Sequence, residues 1–353
     1  MPFTAQELNN IASGALDFYV RGQPMKQTIQ DKPLLSVLDK NKKTFPGGKG
    51  NIDLSVKGNY NSYLQGYTHD DTVTYSNPAN MKRVNFPWRE LHGGISLTHT
   101  ELKHDGISVV DTDGKKTTEK EGREKTALAN ILEDKMEDMD EGISRDFNGY
   151  MWGDGTADPK GPVGIRAIVV DTPTTGTYGG IDRATNSWWR NRSFVGSNGI
   201  NISAATWKTD NVIPLFIKKE HRQLRRYGGR NFICLAGEGF LSALEATLLA
   251  NGNYSLDGFS MTKNTDMGIA DISFKGLGQI FYDPTLDDLG LTDRLYILET
   301  NRLSLYVMDD EEWKQHSPSR PADKYVMYRG LTWTGQLLAR QLNVHGVYEL
   351  KRT

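Results

Sequence analysis

The sequence predicts an α+β protein, a mixed helix–strand body preceded by two extended segments. Three observations carry that expectation. The first hundred residues hold a few short apolar anchors among polar, Gly- and Asn-rich stretches, too little to bury for an independent core. A long apolar stripe at helical spacing follows, from about Thr118 to Met151. Beyond Gly155, strand-like and helix-like patterns alternate to the C-terminus. Composition agrees: of 353 residues 37% are hydrophobic and 36 are Gly, which suits a chain rich in loops and strand edges.

Thr4 to Val20 reads as a short amphipathic helix, with Thr4 at the N-cap and Glu7 completing a capping box. Arg21 to Gly50 is a polar arm whose one apolar anchor is Pro33-Leu34-Leu35-Ser36-Val37-Leu38, and it must lie on some other surface. Ile52-Asp53-Leu54-Ser55-Val56-Lys57 alternates as a strand does. A second extended run through Arg83-Val84-Asn85-Phe86-Pro87-Trp88 continues to Ile95-Ser96-Leu97-Thr98, so the two form a long hairpin around polar turn material. A lone hairpin is marginal in water, so this extension also needs a partner surface.

Leu128, Ile131, Leu132, Met136, Met139, Ile143, Phe147 and Tyr150 then line one face of a helix that Gly153-Asp154-Gly155 stops, a helix expected to lie across a sheet. Further helices are expected at Val212–Tyr227, closed by Arg222, Arg225, Arg226 and Gly228-Gly229, and at Phe240–Leu249. Strands are expected from Phe232, at Gln279–Tyr282, Leu295–Leu298, Leu303–Met308 and Tyr325–Gln336, with Leu337–Leu350 apolar and β-leaning. Cys234, the one cysteine, sits in the apolar run Phe232–Ala236 and reads as a buried inert thiol.

No run approaches the roughly 20 apolar residues of a membrane helix. Met1 to Glu7 lacks the basic and apolar regions of a secretory signal. A net charge of −2 does not mark a dedicated nucleic-acid binder. Catalytic patterns are weak. Gly237-Glu238-Gly239 lacks the third glycine of a dinucleotide fingerprint and reads as a structural turn. His69, His92, His99 and His104 do not stand at helix-face metal spacing. Asp309-Asp310-Glu311-Glu312 could supply a glycosidase pair only if two carboxylates faced a cleft; adjacent acids after a strand usually form a solvated turn. Trp188-Trp189 beside Arg190 and Arg192 could stack on bases or sugars, but these residue types equally fill protein–protein interfaces.

Several stretches are far more specific: Lys43-Thr44-Phe45-Pro46-Gly47-Gly48, Asp70-Asp71-Thr72-Val73-Thr74-Tyr75-Ser76-Asn77-Pro78-Ala79-Asn80, Thr100-Glu101-Leu102-Lys103, and Gly179-Gly180-Ile181-Asp182-Arg183 leading to Trp188-Trp189-Arg190. With the order of parts, they resemble, over nearly the whole chain, a subfamily of tailed-bacteriophage (Caudovirales-type) major capsid proteins with the Hong Kong 97 fold. The resemblance implies an N-terminal arm at 1–49 and an extended loop at 50–110. It also implies a peripheral domain from 111–164 and 311–353 with a spine helix at 118–151, and an axial domain at 165–310. It implies a structural subunit, not an enzyme, with no cofactor or metal, that assembles into pentamers and hexamers around double-stranded DNA without reading its sequence.

The implied partners are copies of the chain, a portal at one vertex, a decoration protein and, because Met1 lies close to the arm, a separate scaffolding protein. No membrane is involved, and the expected location is the virion capsid, assembled in the host bacterial cytoplasm. Lys57 and Lys82 lie in the loop, but no matching Asn and acid can be identified, so no covalent cross-link is expected. The expected subunit-interface residues are Trp88, Arg89, Phe86, Lys57, Tyr60, Trp188, Trp189 and Arg190, with Trp88 and Arg89 as the main anchors. An encapsulin-like nanocompartment shell shares the architecture and is the alternative. A carbohydrate-active hydrolase using the acids near 309–312 is the alternative of another class.

Overall fold

The computed structural model describes residues 30–47, 50–58, 62–75, 80–98, 100, 138–250, 272–274, 277–316 and 326–352. The chain divides into two compact units. One includes Glu90–Phe147 and Asp310–Thr334; the other, larger, comprises Asp31–Arg89, Asn148–Asp309 and Gly335–Thr353. The expected helix at Thr4–Val20 lies outside the described residues.

Pro33 opens helix α1 (Pro33–Lys40), where its missing N–H leaves no bond unmade. Leu34 and Leu38, one turn apart, are buried. Strand β1 (Lys43–Phe45) pairs in parallel with Tyr306–Met308. The anchor of the polar arm therefore finds its partner surface on its own chain. The sequence suggested a surface elsewhere because the strand it meets lies more than 250 residues away.

β2 (Asn51–Lys57) and β3 (Met81–Pro87) form an antiparallel stem with Ile52 opposite Phe86 and Leu54 opposite Val84. Period-two alternation puts Ile52, Val84 and Phe86 inside. On the outer face Asn85 Nδ2 donates to Asp53 Oδ1 at 2.7 Å. The hairpin ends at Pro87. β4 (Arg89–Thr98), expected to prolong it, pairs instead with the strand Val326–Ala339.

Helix α2 covers residues 138–152; the earlier part of the expected helix, 118–137, lies outside the described residues. In the smaller unit, Phe147 meets Trp313 and Trp333 edge-on at 5.3 and 4.9 Å. A Cβ on Gly93 of β4 would lie 2.5 Å from Ile143 Cδ1, so helix and strand approach as closely as glycine permits. The helix thus lies on a sheet, as its single apolar stripe requires. In the larger unit, Trp152 is buried edge-on against Tyr296 at 5.1 Å.

The remaining elements are α3 (Ile165–Ile168), β5 (Thr177–Tyr178), β6 (Ile181–Asp182), β7 (Arg192–Phe194), β8 (Ile200–Asn201), α4 (Val212–Arg226), β9 (Phe232–Ala236) and α5 (Glu238–Ala250). They continue with β10 (Ile272–Phe274), β11 (Gly278–Tyr282), α6 (Pro284–Asp288), β12 (Arg294–Glu299), β13 (Leu303–Met308), β14 (Lys314–Gln315), β15 (Val326–Ala339) and β16 (Gly346–Lys351). In the smaller unit, β14 and β4 both pair with β15. The main sheet of the larger unit runs β10-β11-β9-β12-β16-β7, with β8 also on β16.

Alternation decides how that sheet is covered. Cys234, Ala236, Leu295, Ile297, Tyr348 and Leu350 form one core with Ile213, Ile217 and Leu224 of α4 and Phe240 and Leu244 of α5. Leu235, Tyr296 and Leu298, which point the other way, are buried as well. A sheet covered on both faces needs continuous apolar strands, which is why β12 and β9 were legible as unbroken runs. The inward face of α4 carries one carboxylate, Glu220. Arg192 neutralises it through paired contacts, Nε to Oε2 and Nη2 to Oε1 at 3.0 Å.

Candidate assembly surface

The hairpin stem rests on the tight turn between β5 and β6. Gly179 and Gly180 have φ of +60° and +81° and join β5 to β6 with a two-residue connection. Positive φ at both central residues is the hairpin geometry that glycine alone adopts freely. A Cβ on Gly179 would stand 2.6 Å from Phe86 Cζ and 3.0 Å from Val84 Cβ. The Asn85 amide donates to the Gly179 carbonyl at 3.2 Å, and the Phe86 and Tyr178 rings lie 5.0 Å apart. Only a glycine lets the stem seat this closely.

The turn is braced from below. Trp189 Nε1 donates to the Tyr178 carbonyl at 3.1 Å. The buried Arg183 donates to the Ala167 and Ile168 carbonyls, each at 3.0 Å, and to Asn191 Oδ1 at 3.2 Å. Its guanidinium carbon sits 5.6 Å from the Tyr178 ring centre. Burial lowers the Arg183 pKa, yet an arginine starts so high that the charge persists. Three carbonyl-type acceptors at good distance satisfy it without a carboxylate. Arg190 ties the next segment by donating from Nε to the Arg183 carbonyl at 2.6 Å.

The stem's outer end is pinned too. A Cβ on Gly58 would lie 2.8 Å from Trp188 Cε2, and Lys82 Nζ donates to Asn186 Oδ1 at 2.7 Å. The Gly-Gly-Ile-Asp-Arg and Trp-Trp-Arg stretches are thus one structural device, a seat for the stem. The available signal was the Gly-Gly pair flanked by Tyr and Ile, a two-residue hairpin cue.

Beyond the stem, residues 62–75 expose their apolar side chains. Leu64 is 103% and Tyr75 93% exposed, and Tyr63, Tyr67 and Val73 also face solvent. The backbone beneath them is held by polar side chains. Gln65 Oε1 accepts from the Thr74 amide and hydroxyl at 3.1 and 3.0 Å. Asp71 Oδ2 accepts from the Thr68 amide and hydroxyl at 2.9 and 2.7 Å, which pulls the Asp71 pKa down. Every residue of 62–75 is exposed, so these hydrogen bonds and the apolar side chains alike face solvent. The bonds restrict the conformations open to the segment.

Among the expected interface residues, Lys57 is exposed and Trp88, Arg89, Trp188 and Arg190 are half-buried. The Trp88 ring packs against that of Phe45, centre to centre at 5.8 Å. Tyr60 lies outside the described residues. Phe86 and Trp189 are buried within the chain, so the structure places both in the core rather than at a surface. Aromatics serve core and interface alike, and sequence does not separate the two uses.

The catalytic patterns resolve into structure. A Cβ on Gly237 would lie 2.5 Å from the Thr292 carbonyl oxygen. The N-terminal amides of α5 are occupied, Glu238 N by Asp287 Oδ1 at 3.1 Å and Phe240 N by the Thr292 carbonyl at 3.0 Å. Asp309, Asp310 and Glu312 are exposed in a turn where Asp310 has φ +59°, and Glu311 pairs with Lys314. Among the described residues no group of three His, Cys, Asp or Glu could hold a metal ion, and no helix is long and apolar enough to cross a membrane. His99 and His104 lie outside the described residues.

No protein-family model and no curated protein sequence matches the chain. Solved structures do. The capsid of cyanophage A-1(L) aligns over 93% of this chain and 94% of its own with a TM-score of 0.63 at 16% identity. The capsid of Myoviridae phage XM1 aligns over 99% of both chains with a TM-score of 0.50 at 10% identity. The capsid of the native GTA particle aligns over 94% of this chain and 97% of its own, also at 0.50, with 13% identity. Backbone likeness over nearly the full length of each chain, at such low identity, is agreement of fold. The chain has the Hong Kong 97-type fold of phage capsid subunits.

Proposed function

We infer that this chain is the structural subunit of an icosahedral phage head and works by assembling with copies of itself into pentamers and hexamers, not by catalysis. One observation carries the reading beyond likeness of fold. The segment 62–75 holds its apolar side chains in water while its stem is locked onto its own subunit. A solitary protein gains nothing from that arrangement, whereas a neighbouring copy that covers Tyr63, Leu64, Tyr67 and Tyr75 gains their burial. Each such contact can be modest, because a closed shell links many of them.

In this reading 50–110 is the loop reaching a neighbour, 165–310 the axial domain near the symmetry axes, and 111–164 with 311–353 the peripheral domain. Double-stranded DNA is enclosed without sequence recognition, a portal occupies one vertex, and a separate scaffolding protein guides assembly. Assembly takes place in the host bacterial cytoplasm. Size-exclusion chromatography and negative-stain micrographs of the purified chain test the central part. Closed shells or capsomer rings are expected, and a monodisperse monomer at every concentration and salt would overturn it. Shells that enclose a protein and no DNA in the infected or native host would favour a nanocompartment instead.

A further inference from the structure

The outer face of α4 exposes Lys218, Lys219, Arg222, Arg225 and Arg226, and Arg230 follows the Gly228-Gly229 turn, also exposed. The helix has one carboxylate, Glu220, and it is fully buried against Arg192. Arg222 therefore has cations three or four positions away on both sides, Lys218 and Lys219 before it and Arg225 and Arg226 after it. Like charges at these spacings destabilise a helix. The helix dipole favours Arg225 and Arg226 in the last turn but does nothing for Lys218 and Lys219 near the middle. Self-repulsion retained on a chain of net charge −2 calls for an anionic partner.

The same unit carries the complementary charge at the other end of β9. That strand starts beside the C-terminus of α4 and, five residues or about 17 Å later, enters α5 at the exposed Glu238. Asp287 and Asp288 of α6 join Glu238 there. Tyr282 donates to Asp287 Oδ2 at 2.7 Å. That bond, then burial, then the charges of Asp287, Glu238 and Asp288 push its phenol up to about 12. Each end also exposes apolar groups beside its charges: Tyr227 at the cationic end, Tyr282 and Leu289 at the acidic end.

We propose that the cationic face of α4 docks on the acidic end of this unit in a second copy of the chain, with Lys218, Lys219, Arg222, Arg225 and Arg226 facing Glu238, Asp287 and Asp288. The proposal rests on the assembly reading above. Opposite charges at opposite ends of one strand make a head-to-tail contact, which repeated by rotation closes a ring. A two-fold contact of either end with itself would set like charges together. Duplex DNA also offers anionic groups to α4, but as a polyanion it does not complement the acidic end.

The test is charge reversal and rescue in the full chain. Lys218→Glu with Arg222→Glu, and separately Glu238→Lys with Asp288→Lys, should each abolish shell formation at a concentration where the wild type assembles. Combining all four should restore it. The milder Lys218→Gln with Arg222→Gln, should the reversals fail to fold, is expected to retain the wild-type melting curve while its assembly becomes weaker and less sensitive to added salt. Normal assembly of the folded cationic-face variants overturns the proposal, as does failure of the combined variant to assemble while folded. Shells that form normally in the Gln variant but lose their DNA would assign the face to nucleic acid instead and equally overturn it. A wild-type chain that never assembles would sink the assembly reading itself, a distinct result.

Discussion

Replacing Gly179 with Ala separates two effects that adjacent glycines of one turn otherwise share. Both Gly179 and Gly180 sit at positive φ, +60° and +81°, so an alanine at either meets a backbone penalty of about 1–2 kcal/mol. Only at Gly179 does the new methyl collide with anything: it would lie 2.6 Å from Phe86 Cζ and 3.0 Å from Val84 Cβ, whereas nothing stands within 4 Å of a Cβ on Gly180. Overpacking of this kind costs about 1–3 kcal/mol. Gly179→Ala should therefore be worse than Gly180→Ala by about that difference, and the excess should fall on the stem. Hydrogen exchange of the amides in 51–57 and 81–87 should accelerate in Gly179→Ala and remain near wild type in Gly180→Ala. Adding Phe86→Leu, which removes the ring atom in the way, should recover part of the loss. Equal effects of the two alanines, or no gain from the second substitution, would show that the stem is not seated on Gly179.

Other perturbations probe the remaining parts. His345 is fully buried, and burial lowers its pKa from 6.5 to about 4, so the folded chain refuses a proton that the unfolded chain accepts near 6.5. Its contribution is complete above about pH 6.5, declines as pH falls, and is lost once pH passes through about 4, roughly 3 kcal/mol in all. His345→Gln should flatten that part of a denaturation-against-pH curve, and an unchanged slope would remove His345 as its cause. Gln65→Ala removes the acceptor of two Thr74 bonds; assembly should slow while the subunit's melting temperature stays within about 1 °C, since the segment is surface loop. Trp88→Ala is expected to weaken assembly without unfolding the subunit, although loss of its contact with Phe45 should loosen β1; normal shells would discard Trp88 as an anchor.

Local periodicity carried the legible part of the fold. α4, β9, β12 and β13 emerged close to their observed bounds because each buries a regular face within a few turns or residues. What escaped was determined by distant partners. Nothing within Arg89–Thr98 says that this strand leaves the hairpin for β15. Nothing within Pro33–Leu38 says that its leucines lie on their own chain. The stem's seat was hidden for a similar reason: Gly179 is explained by Phe86, almost a hundred residues earlier, and by the bracing of Arg183 and Trp189. Trp189 looked like an interface residue because a large aromatic suits either place. The exposed apolar tip escaped as well: from this part of the loop only Tyr60 was expected at an interface, since a Tyr or Leu in a polar stretch carries no mark of whether its own chain covers it.

The most direct measurement is an electron cryomicroscopy map of shells assembled from the full chain, read at residues 62–75. The account predicts density from an adjacent subunit packed over Tyr63, Leu64, Tyr67 and Tyr75, with the stem still seated on Gly179. Shells in which those four side chains remain in solvent would contradict it.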